Sequence, residues 1–189
     1  MSTRTWLIAI AAVIVLFVAW LWTGYNHLVA EKQNVDNTWR QVETQYQRRV
    51  DLVPNLVQTV KGAANFEQST LLAVTNARTQ WLSAGGNRSA EVDAAQNLDG
   101  ALSKLLVTVE SYPQLQATQA FRDLMTQLEG TENRIAVARK DYNDEVRNYN
   151  VLVLSFPTNI LAAKFGYTPE KGYESTPGSE TAPTVNFGQ

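Results

Sequence analysis

The apolar residues of this chain change their pattern near Tyr25. Before it, from Trp6 to Trp22 (WLIAIAAVIVLFVAWLW), they form an unbroken run. After it they recur in a four-three rhythm: Val35, Trp39, Val42, Tyr46, then Val53, Leu56, Val60 and Ala63, with Arg49 breaking the series. The first pattern predicts a helix that is apolar all round. The second predicts a helix packed along one seam. Pro54 lies inside the second stretch. It reads either as a kink, which the unbroken rhythm favours, or as the first residue of a new helix capped from Asp51.

Three further helices follow. Asn65 and Gln68 read as a capping box for a helix that carries Leu71, Val74 and Trp81. Gly85-Gly86-Asn87 ends it with turn chemistry. A third helix opens near Ser89 or Ala90, carries Val92, Ala95, Leu98, Leu102, Leu105 and Val109, and stops before Pro113. A fourth is expected from about Gln114 to Leu154, with the seam Phe121, Leu124, Leu128, Ile135, Ala138, Tyr142, Val146, Tyr149 and Val153. Period-two alternation is not sustained anywhere, so strands are not expected. The first and fourth helices should each run roughly 55 to 65 Å and the other two about half that. The expected fold is therefore all-α: one N-terminal transmembrane helix continuing into an antiparallel up-down four-helix bundle of two long and two short helices. The expected divisions are an anchor over 1–25, the bundle over 26–167, and a disordered tail over 168–189. From about Gly172 that tail is rich in Gly, Pro, Ser and Thr.

The apolar run is long enough for a membrane. Trp6 to Trp22 rises roughly 25 Å as a helix, close to a hydrocarbon core of about 30 Å. Trp6 marks one edge; Trp20, Trp22 and Tyr25 mark the other, as interfacial aromatics do. A cleaved signal peptide would have a shorter apolar region and a small-x-small site just beyond it. Trp20-Leu21-Trp22-Thr23-Gly24-Tyr25 offers no such pair, which favours a retained single-pass anchor in the cell (inner) membrane. Arg4 precedes the run, and Lys32 and Arg40 follow it, so the basic residues barely bias orientation. The body is expected outside the cytoplasm.

Composition narrows the chemistry. The chain has 189 residues, 16 basic and 18 acidic, for a net charge of −2. No basic surplus supports a nucleic-acid partner, and no polybasic patch is present for lipid headgroups. There is no cysteine, and His27 is the only histidine. Thiol metal sites, Glu-x-x-His metal motifs and Ser-His-Asp sets therefore cannot be completed. No phosphate loop of the G-x-x-x-x-G-K type occurs. The expectation is a protein without catalytic, cofactor or metal residues, hence not an enzyme.

Two polar constellations stand out. Arg48 and Arg49 precede Asp51 on the first long helix. With the long helices antiparallel and Gly62 opposite Gln114, Arg48 falls near 128–132. Glu129 and Glu132 are then expected partners, with Arg134 beside them. The reading is an interhelical ion cluster or, alternatively, a contact for a partner. The Tyr-Asn pair recurs as Tyr25-Asn26, Tyr142-Asn143 and Tyr149-Asn150. The last two are a heptad apart, and the same register sets Asn26 opposite Asn150 as a register-fixing contact. Trp39, Tyr46 and Trp81 are expected in the core.

The strings YNHLV, TWRQVETQYQRRVDLVPNLVQTVKG, TNAR, YPQLQATQAF, LEGTENRIAVARKDYNDEVRNYN, FP and FGY, in this order, resemble the bacterial LemA family. The chain departs from the family at Ala63 or Ala64, where an aromatic is typical, and at Phe66, where a histidine is typical. The resemblance implies one membrane helix, a helical bundle, no assigned catalytic residues and an accessory role near membrane metalloproteases. The leading expectation is a non-enzymatic scaffold or adaptor at the cell envelope. The alternative is a self-assembling structural protein forming large membrane-attached homo-oligomers.

Overall fold

A single helix, α1, runs from Thr3 to Lys61 over 59 residues and carries both patterns. The computed structural model of the chain describes residues 3–62 and 66–173. Five more helices follow: α2 (Gln68–Ala84), α3 (Arg88–Val109), α4 (Pro113–Gln116), α5 (Gln119–Leu154) and α6 (Thr158–Phe165). All regular structure among the described residues is helical. Pro54 sits inside α1 without ending it, so the reading as the start of a new helix is set aside. The capping role expected of Asn65 lies outside the described residues.

The chain divides into two compact units, one from 1–42 with 138–172, the other from 43–137 with Tyr173 onward. In the first unit, the α1 residues from Trp6 to Trp22 face outward all round: Leu7, Val13, Leu16 and Trp22 are among the exposed side chains. Burial begins at Leu28 and continues at Val35, Trp39 and Val42. From α5 the buried set is Ala138, Tyr142, Val146, Tyr149 and Val153, and from α6 it is Leu161 and Ala162. Trp39 meets Tyr142 edge-on, with ring centroids 5.1 Å apart. Such aromatic contacts add to area burial.

The second unit is built on Tyr46, Val50, Val53, Leu56 and Val60 of α1. Against them in the core stand Leu71, Val74 and Trp81 of α2, Leu98, Leu102 and Leu105 of α3, and Phe121, Leu124, Leu128 and Ile135 of α5. The α2–α3 turn is made by Gly86 at φ 88°, which a side chain would strain. Asn87 then caps α3, its side chain accepting from the Ala90 amide at 3.2 Å. That places the start of α3 one residue before the expected Ser89.

Three expectations need correction. The fourth predicted helix is two: α4 ends at Gln116 and α5 starts at Gln119. Thr118 explains the break, since its hydroxyl accepts from the Phe121 amide at 3.4 Å and donates to the Leu115 carbonyl at 2.8 Å. A threonine that serves the first free amide of a helix marks an N-terminus, not an interior. The second correction is α6, which follows Phe156-Pro157 where no helix was expected. Gly166, at φ 77°, closes it, and the Tyr167 amide returns to the Ala162 carbonyl at 2.9 Å.

The third concerns the tail. Thr168 to Tyr173 is a strap held by side chains, and 174–189 lie outside the described residues. Tyr149 donates to the Thr168 carbonyl at 3.0 Å and Tyr142 to the Lys171 carbonyl at 2.8 Å. Asn150 binds Glu170 twice, donating to its carbonyl and accepting from its amide, each at 2.8 Å. Its amide group is thus engaged by backbone, and Asn26 is exposed. The expected Asn26–Asn150 contact is replaced by a clamp on the strap.

Candidate functional site

Extending the four-three series of α1 backward from Val35 reaches Lys32 and then Leu28. The seam from Leu28 to Val60 therefore holds two cations, Lys32 and Arg49, one in each unit. A cation on a buried seam needs partners to offset its desolvation. Each has them.

Arg49 is 4% exposed. One terminal nitrogen donates to Asp99 Oδ1 of α3 at 2.5 Å, and the other pairs with Glu132 of α5. Tyr46, one turn before Arg49, donates from its hydroxyl to Asp99 Oδ2 at 3.0 Å. The Tyr46 hydroxyl also lies 3.2 Å from that of Tyr173. The cluster thus ties α1, α3, α5 and Tyr173 of the same unit through one guanidinium, two carboxylates and the Tyr46 hydroxyl. Burial pushes the Asp99 carboxyl up to about 6, although the charge and hydrogen bond of Arg49 pull it down. Loss of solvent wins because the Asp99 side chain is only 28% exposed. Glu132, at 55% exposure, keeps its water and contributes less to holding the guanidinium.

The other residues expected in this cluster point elsewhere. Arg48 is exposed and donates to Gln45 at 3.4 Å. Asp51 is exposed and accepts from Gln47 at 2.8 Å. Glu129 and Arg134 lie on the exposed side of α5. Arg49 stands on the seam, as the four-three series places it, and of the two expected acidic partners it reaches Glu132. Sequence reasoning missed Asp99 and Tyr173. The signal for Asp99 was its place directly after the seam residue Leu98.

Lys32 is the counterpart in the first unit. It pairs with Asp36 one turn on, at 3.2 Å, and with Glu170 of the strap. Its nitrogen stands 5.9 Å from the centre of the Tyr149 ring. Burial alone would lower the Lys32 ammonium, but the hydrogen bonds and charges of Glu170 and Asp36 carry it above the ordinary lysine value. Tyr25 packs at a tilt against Phe165 at 4.8 Å and meets Tyr167 at 6.5 Å between ring centroids. Trp6, Trp20 and Trp22 stay on the outer surface of the apolar run. His27 is exposed, with Nδ1 3.8 Å from Glu31. Among the described residues, no group of three or more His, Cys, Asp or Glu side chains is placed to hold a metal. Phe66 packs on Tyr112 at 5.0 Å between ring centroids.

Residues 38–187 match the sequence profile of the LemA family. The chain belongs to the LemA family. It is similar to a protein named Magnetosome protein MamQ 2 of Paramagnetospirillum magneticum, at 28% identity over 193 residues, 89% of this chain and 71% of the relative. Magnetosome protein MamQ of Magnetospirillum gryphiswaldense is 25% identical with the same coverage. Protein LemA of Metamycoplasma hominis is 23% identical over 139 residues, 74% of this chain and 64% of its own length. The LemA match takes in both Arg49 with its partners and the whole clamp on the strap.

Replacing Arg49 by Met should weaken the folded state at pH 7 by about 3 kcal/mol, the low end for breaking a buried pair, because Asp99 can take up a proton. The loss should be smaller at pH 5, where the Asp99 carboxyl is already neutral. Adding Asp99→Asn should recover much of it. Chemical denaturation of the three variants at both pH values measures this, and an unchanged or more stable Arg49→Met protein at pH 7 would contradict it.

The Asp99 shift also fixes a sign. Folded Asp99 keeps its proton up to about pH 6, whereas its ordinary value is 3.8. The folded state therefore binds more protons between these values, and the contribution of Asp99 to stability falls as pH rises through that window. The unfolding free energy of the wild type, minus that of Asp99→Asn, should decline from pH 4 to pH 7. A difference that rises over the interval would show the carboxylate to be the favoured form.

Proposed function

We propose that this LemA-family protein is a non-enzymatic, membrane-anchored helical scaffold or adaptor at the cell envelope. The observation that carries the reading is the make-up of α1. Its first part is apolar and exposed on every side, which a soluble body would not tolerate, and the same helix continues into the core. The body is thereby fixed to its anchor by unbroken backbone rather than by a linker. In this reading, α1 and α5 as long members and α2 and α3 as short ones make an antiparallel up-down bundle. The anchor crosses the inner membrane once, and the bundle stands on its extracytoplasmic side.

The polar clusters support an architectural role. Arg49 pairs with Asp99 and Glu132, Tyr46 bonds Asp99, and Lys32 pairs with Asp36 and Glu170. Groups consumed in mutual pairing are structural before they are reactive. Relatives at 28% identity are named for a cellular structure, the magnetosome, rather than for a reaction. That naming fits a protein that organises others. The partner is a second envelope protein, with a membrane metalloprotease as the first class to test.

In-cell cross-linking followed by intact-complex mass measurement in detergent tests the proposal. A complex containing this chain and a different membrane protein is the expected result. A discrete large homo-oligomer with no second protein would overturn it in favour of self-assembly.

A further inference from the structure

The short helix α6 is not needed to span a membrane, and it carries both buried and exposed apolar residues. Leu161 and Ala162 are buried, at 5% and 1% exposure. Leu161 lies so close to Gly24 that a Cβ there would stand 2.8 Å from Leu161 Cδ1. Phe165 packs against Tyr25 with the rings tilted by 59°. The docking site of α6 on α1 is thus Gly24-Tyr25, two to three residues, roughly 3 to 4.5 Å of helix rise, beyond Trp22. Gly24 is what lets α6 come this near.

Around this segment, large apolar side chains stay uncovered. Phe156 is 80% exposed, Ile160 59% and Leu154 64%. Lys164, one turn after Ile160, is exposed beside them. Three large exposed apolar side chains and one lysine therefore belong to α6, the turn leading into it and the last residue of α5, and α6 itself packs where the apolar run of α1 ends. A side chain such as Phe156 in contact with water there would be costly, but at the edge of a bilayer it has an apolar phase within reach. Aromatic residues favour that depth, and a lysine can extend its ammonium to the headgroup phosphates.

We propose that Phe156, Ile160 and Leu154, with Lys164, form a second membrane contact in which α6 lies in the headgroup–acyl boundary beside the emerging α1. The occupant of this face is lipid, because α6 packs on Gly24 and Tyr25, within one turn of the exposed apolar run that ends at Trp22. The contact sits about 5–10 Å into the interface rather than across the bilayer. It rests on the reading of Trp6–Trp22 as the membrane span. It also explains what α6 adds. The α1 span alone fixes position, whereas α1 and α6 together restrict the tilt and rotation of the unit that holds them.

The chain has no cysteine, so single cysteines report without background. The full-length protein is reconstituted in phosphatidylcholine–phosphatidylglycerol vesicles with an environment-sensitive fluorophore at Phe156→Cys, Ile160→Cys, Val13→Cys or Lys140→Cys. Quenching by lipids carrying a spin label high or low on the acyl chain is then compared. The expected result is a blue-shifted emission at 156 and 160, quenched more strongly by the shallow label, with position 13 quenched by the deep label and position 140 by neither. Aqueous emission at 156 and 160, with position 13 still quenched, would overturn the interfacial contact and leave the anchor standing. Blue-shifted emission at 156 and 160 without lipid quenching would overturn it in favour of a protein occupant. If position 13 escapes quenching, the anchor reading and the contact fall together.

Discussion

One helix must satisfy two solvents, and the rest of the structure follows from that constraint. Up to Trp22, α1 shows apolar side chains on every side, as a bilayer requires. From Leu28 onward the same helix buries one seam and exposes the rest. The change is completed within two turns, between Trp22 and Leu28. Those two turns hold the residues that would be odd in either half: Gly24, Tyr25, Asn26 and the only histidine. They are the junction at which α6 docks, through Leu161 on Gly24 and Phe165 on Tyr25.

Polar residues on the seam act differently from those on the surface. Lys32 and Arg49 occupy positions that the heptad pattern reserves for apolar side chains, so each imposes a demand on its own unit. Arg49 requires the Asp99 carboxylate from α3, and Asp99 is in turn bonded by Tyr46. Lys32 requires Glu170, which holds the strap while Asn150 secures its backbone. A buried charge with its own partner gains little net stability but penalises every register in which the partner is missing. The two cations therefore specify pairing more than they strengthen it.

Helix placement is largely readable from the chain, because long amphipathic periods override local ambiguity. The seam of α1 as far as Val60, that of α5, the Gly86-Asn87 turn and the membrane-length run stand where the pattern puts them, and Ala63 lies outside the described residues. What the pattern misses depends on contacts between residues distant in sequence. Asp99 is one carboxylate among several on α3, and no spacing rule links positions 49 and 99. The Tyr-Asn repeat is visible, but its partner is the backbone of Thr168 to Lys171, and a backbone carbonyl has no sequence signature. Composition makes the segment after Tyr167 look like free tail for the same reason. The break at Thr118 is legible in principle, as a threonine three residues before Phe121, but the apolar seam beyond it is the stronger signal.

The continuity of α1 through the junction is the claim on which the anchor, the seam and the docking of α6 all rest. Hydrogen exchange of the full-length protein in lipid nanodiscs tests it most directly, because helical amides are protected as a continuous block. Amides from Trp22 to Glu31 should exchange as slowly as those of the seam from Val35 to Tyr46. A fast-exchanging gap at Thr23 to His27 would mean a flexible link between anchor and body, and would contradict the account.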